Sequence, residues 1–394
     1  MVFPKVKFNR GRLARLLSKV PVSSRCFGPP RGYAQDLAAL TPSEGEALRV
    51  LRPERRVNHP LPRLAAYPEI EEEMRARFSA LRAPAQLLYQ LPRARVLGVA
   101  NAHGVITNAD RFILDQHETW GQKITNHPIH YTVKLPDCSH LPGTSFSLIS
   151  NWSDNYWHWL FDVLGKLILL RDRWPANMQK IDHYLVLNLS KYPFKRQSLL
   201  HLGYTENQLV DVFDRAQISC DTLLLATRPH ENLFPEQDLI DALRRYFLSP
   251  DETGDKPRRI YISRKGAANR RIANESDLIF GLQKLGFDCI HLEKLDFLDQ
   301  VRLFQSATVV LAQHGAGLSN LVFCKPRTKV FELFEPEHVI PCYTLLSEKL
   351  SLDYTLLCNG RPERLCDGVW SNLHVPEETI VNVSDIIDAL AETF

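Results

Sequence analysis

Apolar residues along the chain fall into two rhythms. Runs too short for a helix predict strands at Ser145 to Ser150, His183 to Asn188, Ile218 to Thr227, Arg259 to Ser263, Phe287 to Leu292, Val309 to Ala312 and Lys329 to Phe334. Between them, helical spacing predicts Pro193 to Leu202, Pro235 to Leu248, Glu275 to Leu285, Phe297 to Ser306 and Leu318 to Cys324. Tyr156, Trp159, Leu160, Val163, Leu164, Leu167 and Ile168 share one face of a further helix, capped by Ser153 or Asp154 and running to about Arg171. Strand-helix alternation of this kind builds parallel sheets. The segment Ser249 to Pro257 reads as a linker, and a second α/β domain begins at Arg258. Before the first, residues 36–95 are polar and proline-rich with one helix at Pro68 to Leu81. Ala94 to Asp115 reads as two strands around a turn at Asn101 to Gly104, a small β element covering the main domain. The expected division is therefore 1–95, 96–248 and 258–394.

Composition changes this picture little. The chain has 394 residues, 44% apolar and 24% charged, as in an ordinary globular protein. Its net charge of +3 is uneven, because the first 31 residues carry eight basic side chains and no acid. That arm reads either as a solvated tail or as a peripheral anchor to anionic membrane. No apolar stretch is long enough to span a bilayer, and no signal-peptide core is present, so a cytoplasmic protein is expected, with the inner face of the membrane as its alternative site. The eight cysteines are scattered without metal-binding spacing and read as reduced. No nucleic-acid partner is expected.

The candidate chemistry sits at strand ends. Gln313-His314-Gly315-Ala316-Gly317 breaks a strand sharply ahead of a helix, an arrangement that lets backbone and helix N-terminus approach a phosphate. The next strand delivers Glu332 and Glu335 to the same edge, where a carboxylate suits ribose hydroxyls. The strand ending at Ser263 runs into Arg264, Lys265, Arg270 and Arg271, ahead of a helix expected to be capped by Asn274. In a parallel sheet both loops open on one edge and can face one phosphate group. On the helix after Ser153, His158, Asp162 and Lys166 form a polar stripe beside Trp157 and Trp159. Either His158 or Asp162 can act as a base. A dinucleotide-cofactor enzyme such as an epimerase is the weaker alternative, since the third glycine of that fingerprint is missing.

Three pieces together resemble glycosyltransferase family 61, a group of bacterial capsular or exopolysaccharide enzymes, plant xylan-decorating transferases and eukaryotic protein O-glycosyltransferases. They are Asn155-Tyr-Trp-His-Trp-Leu-Phe-Asp162, then Ser263-Arg264 with Arg270-Arg271 and Asn274-Glu275, then His314-Gly-Ala-Gly-Leu318 ahead of Phe331-Glu332-Leu333. The resemblance implies a GT-B-like α/β fold, two Rossmann-like domains facing a cleft, and an inverting hexosyl- or pentosyltransferase. It places catalysis on His158 and Asp162, the acceptor beside Asn155, Trp157 and Trp159, and the UDP-sugar donor against Arg264, Lys265, Arg270, Arg271, Asn274, Glu275, His314, Gly315, Ala316, Gly317, Asn320 and Glu332. The acceptor would be a glycan or polysaccharide. Since the sequence has no Asp-x-Asp, arginines and a helix N-terminus would stabilise the leaving diphosphate, with no metal or other cofactor expected. The alternative is a non-catalytic nucleotide-sugar-binding or assembly protein of the same fold.

Overall fold

The structure, a computed structural model of the chain, describes Ser24 and residues 28–58, 64, 67–78, 80–98, 103–113, 129, 132–150, 152–174, 180–213, 216–229, 235–249, 258–335, 339–359 and 377–392. Most of the basic arm, residues 99–102 with the first half of the turn expected at Asn101 to Gly104, Asn151 and the linker from 250 onward lie outside the described residues. The chain forms two compact units. One comprises 1–53, 85–154 and 162–228; the other comprises 54–84, 155–161 and 229–394. This differs from the division read off the sequence. Residues 54–84, 155–161 and 229–248 count with the second unit, because their contacts are made there rather than with their neighbours in sequence.

The first unit is built on a ten-stranded mixed sheet. Its parallel part runs Ala216–Ala226, Cys138–Ser147, His183–Leu187, Leu209–Val212. Gln86–Pro92 and Arg95–Gly98 add antiparallel to Ala216–Ala226, and Gly104–Ile106 pairs antiparallel with Arg95–Gly98. The small β element expected at 94–115 therefore extends the main sheet instead of covering it. Doubly wound sheets are mostly parallel, so the Rossmann-like expectation fits the parallel part of this unit better than its antiparallel extension. Leu185, Leu187, Val212, Leu223 and Leu225 are buried together in its core.

The second unit carries a five-stranded sheet in which every pairing is parallel, in the order Phe287–Ile290, Arg258–Ile262, Ala307–Gln313, Lys329–Phe334, Asp353–Cys358. Numbered within the sheet this is 2-1-3-4-5, a doubly wound order whose direction reverses between the first and third strands. One face packs Tyr261, Val309, Leu311, Phe331 and Leu333 against Leu278 and Leu282 of Glu275–Lys284 and Ile386 and Leu390 of Val383–Ala391. Elsewhere in the unit Phe247, Phe297 and Phe323 meet edge to face at centroid distances of 5.0–6.4 Å. Burying each such ring contributes roughly 1.5–3 kcal/mol. The helix Pro68–Phe78 joins this unit through Ile70 and Met74, which pack with Leu64 on Phe334, Val339, Leu345 and Leu356. Among the described residues no helix is long and apolar enough to cross a membrane.

Candidate functional site

The reversal of strand order leaves a crevice outside the carboxyl ends of the first and third strands, where sheets of this kind take ligands. Here it is a cleft of about 250 Å³ lined by Ser263, Arg264, Gly266, Gln313, Gly315 and Gly317, with Leu292 and Leu318 among the apolar wall residues. Both sequence motifs of this half of the chain thus reach one place. Gly315 has extended backbone, so dihedral freedom is not why it is glycine. A methyl carbon there would lie 1.9 Å from Nη1 of Arg264, and one at Gly317 would lie 2.7 Å from Leu292. These glycines make room for the protein's own side chains. Arg264 rests on Gly315, donates from Nη2 to the Asn269 carbonyl at 2.9 Å, and has a buried Nε without a partner. Burial first, and the neighbouring Arg270 second, pull its guanidinium down to about 10, which still leaves it charged at neutral pH. Burial also lowers Arg270, whose φ of 56° puts a non-glycine residue in the left-handed region at a cost of about 1–3 kcal/mol. Two desolvated cations beside each other are an arrangement that an anion relieves.

Other residues expected to hold donor are already engaged by the protein. Arg271 donates to Glu378 at 3.0 and 3.1 Å and to the Ala267 and Ala268 carbonyls. Asn274 does not cap its helix with its side chain; its amide clips both backbone groups of Val381 at 2.9 and 3.1 Å. Glu275 is buried and accepts from the Tyr261 hydroxyl at 2.9 Å. Asn320 is fully buried, bonded to Gln300, the Gly317 carbonyl and Tyr156. Lys265 is exposed at the loop surface. Ala316 opens a 3₁₀ helix, Ala316–Phe323, where an α-helix was expected.

Glu332 is the largest departure. It is 0% exposed, with one oxygen 2.5 Å from His314 Nδ1 and the other accepting from the Tyr354 hydroxyl at 2.6 Å, so its carboxyl is not offered to a ribose. Burial pushes it up to about 8, against the opposing pull of Tyr354 and Arg270. His314 in turn stacks on Phe334, centroids 5.0 Å apart, with Tyr343 at 5.4 Å.

The helix bearing the other motif starts with Asn155, whose Oδ1 accepts from Trp157 N at 2.9 Å; the cap is Asn155, not Ser153 or Asp154. Tyr156–His158 is α-helical, Trp159–Val163 is a π-helix, and Leu164–Arg173 resumes the α-helix. A π turn within an α-helix is rare and is frequently found at functional sites. His158 is half-buried, Asp162 is buried, and Trp159 is 0% exposed, which makes Trp159 core rather than acceptor surface. Trp157 is also buried, edge-on to Tyr343 at 5.2 Å. The turn carrying His158 is therefore seated, through Trp157 and Tyr156, on the elements that flank the glycine turn. Among the described residues no cluster of His, Cys, Asp and Glu is placed to hold a metal ion.

Sequence reasoning assigned nothing to Gln313. This last residue of its strand is 2% exposed, with neither Nε2 nor Oε1 hydrogen-bonded among the described residues. It lines the crevice and a second cleft of about 220 Å³ formed with Tyr67, Phe334, Leu357, Cys358 and Asn359. A polar residue closing an apolar strand just ahead of a glycine turn was the available signal.

Residues 156–331 match the family model described as Glycosyltransferase 61. Among curated proteins, the chain is 36% identical over 87 residues to a beta-1,2-xylosyltransferase of Arabidopsis thaliana, covering 21% of this chain and 16% of the relative. It is 26% identical over 232 residues to the beta-1,2-xylosyltransferase XAX1 of Oryza sativa subsp. japonica, 54% of this chain and 40% of the relative. It is 28% identical over 117 residues to the EGF domain-specific O-linked N-acetylglucosamine transferase of Rattus norvegicus, 28% of this chain and 22% of the relative. The chain thus spans less than half the length of each of these relatives.

Proposed function

We propose that this chain, whose residues 156–331 are a glycosyltransferase 61 domain, transfers a sugar from a UDP-sugar to a glycan acceptor with inversion and without a metal ion. The observation that carries the reading is the Arg264 guanidinium lodged on Gly315 at the switch point of a parallel sheet, desolvated and without a carboxylate within ion-pair distance among the described residues. Arg264 and Arg270 would take the diphosphate. The names of the relatives support xylosyl or N-acetylglucosaminyl transfer as the first chemistry to try.

In the reaction an acceptor oxygen forms a bond to the anomeric carbon as the bond from that carbon to the diphosphate breaks. The bonding pair leaves with the phosphate, where fixed cations stabilise the growing charge. The acceptor hydroxyl's proton passes to a base. His158 is the better placed candidate, since its ring is partly exposed while Asp162 is buried one turn on, which suits Asp162 to a supporting role. A GT-B-like pairing of two domains belongs to the same reading.

The test incubates the purified chain with UDP-xylose and UDP-N-acetylglucosamine, with and without EDTA, following thermal stability and release of UDP. Stabilisation with slow hydrolysis in EDTA supports the reading. Stabilisation without hydrolysis or transfer to any glycan favours the non-catalytic binding protein, and loss of both effects in EDTA rejects metal independence.

A further inference from the structure

We propose that Gln313 grips a vicinal diol on the sugar unit adjoining the diphosphate of the bound nucleotide sugar, Nε2 donating to one hydroxyl and Oε1 accepting from the other. The inference rests on the nucleotide-sugar reading above and adds to it the residue that holds the sugar beside the phosphates. Three observations point to a ligand. Gln313 is 2% exposed, and both polar atoms of its carboxamide are unpartnered among the described residues. It borders both the switch-point crevice and the neighbouring cleft. It also stands two residues before Gly315, on which Arg264 rests.

Leaving a buried donor and a buried acceptor unpaired destabilises a fold, so the partner they lack among the described residues is one that a bound ligand can supply. That partner must both accept and donate over a short span. A phosphate only accepts and would leave Oε1 facing an anion. A trans amide, as in an N-acetyl group, sets its N–H and C=O on opposite sides and cannot meet both atoms of one carboxamide. Two adjacent hydroxyls can, because each gives or takes a hydrogen bond as required. The diol role expected of Glu332 also needs another residue, since His314 and Tyr354 occupy that carboxyl.

The diol can belong to the ribose or to the transferred sugar, and calorimetric binding separates the two. The ligands are UDP and GDP, their 2′-deoxy forms, and UDP-xylose, each tested on the unaltered chain and on Gln313→Leu and Gln313→Met. If the ribose is held, the unaltered chain prefers the ribo over the 2′-deoxy diphosphate by about tenfold or more, and both variants lose that preference. If the transferred sugar is held, the diphosphates bind the variants normally while UDP-xylose weakens by a similar factor. Both variants should melt no lower than the unaltered chain, since they remove unpaired polar atoms from a buried place. Equal weakening of ribo and 2′-deoxy forms would mean that Gln313 meets the base and would overturn the inference. So would unchanged binding of every ligand, or a lowered melting temperature in both variants. An unaltered chain that binds none of these ligands would instead reject the nucleotide-sugar reading itself.

Discussion

Tyr156 donates its hydroxyl to Oδ1 of Asn320 at 2.8 Å, fastening the helical turn that carries His158 to the 3₁₀ helix that follows Gly315. Residues 164 positions apart in the sequence, one within the first of the three motifs and one just past the glycine turn of the third, are thus joined directly. Tyr156→Phe keeps the ring against Phe297 but leaves a buried carbonyl oxygen short of a donor, which should cost about 1–3 kcal/mol. Urea unfolding measures this. An unchanged midpoint would show that the bond is not a fastening.

Gly315→Ala should weaken nucleoside diphosphate binding as much as Arg264→Ala does, because the added carbon would lie 1.9 Å from Nη1 and must displace the guanidinium. Each single change should cost about tenfold or more, and the double variant little beyond that, since both remove the same cation. Calorimetry on the three variants checks this; additive losses would separate the two residues.

Glu332 supplies a pH signature. Its folded-state value of about 8 stands above the ordinary carboxyl value, so the folded chain holds a proton that the unfolded chain gives up. The stability this brings is complete below the ordinary carboxyl range and is lost as pH rises toward about 8. Glu332→Gln mimics the protonated carboxyl. Its melting temperature relative to the unaltered chain should therefore climb between pH 5 and 9, and a pH-independent difference would refute the assignment.

His158→Ala and Asp162→Asn should each lower turnover on the order of 10²-fold, with donor affinity little changed because the cations that would hold the diphosphate lie elsewhere. Steady-state kinetics beside direct binding tests this. Near-normal turnover in both would leave the π-helical turn without a catalytic role.

The parallel sheet of the second unit was legible because Arg258–Ile262, Ala307–Gln313 and Lys329–Phe334 are apolar runs bounded by clear breaks, and the helix Phe297–Ser306 was read to the residue. The helix Cys342–Lys349 escaped because its first six residues are buried on every side, which removes the polar face that marks a helix. Glu46–Arg52 escaped for the opposite reason: four of its seven residues are exposed, among them the apolar Ala47 and Val50, so no alternation of apolar and polar positions marks it. At the site, the pairing of Arg264 with the glycine turn follows from strand direction alone. What no local pattern shows is whether a polar group is already committed. Arg271 finds Glu378, and Asn274 finds Val381, each across 107 positions, and those distant partners turn expected ligand contacts into internal ones.

The helix Pro68–Phe78 has a consequence for how the protein is made. Ile70 and Met74 are covered by Phe334, Leu345 and Leu356, residues synthesised well over 250 positions later. At about 5–20 residues per second, a ribosome needs on the order of 15–60 s to deliver them. Through that interval the nascent chain carries a largely charged segment whose apolar residues Ile70 and Met74 have no partners yet, while much of the first unit has already emerged. Order of synthesis and order of assembly are therefore uncoupled in this chain, and the early helix is the segment that a chaperone would find waiting.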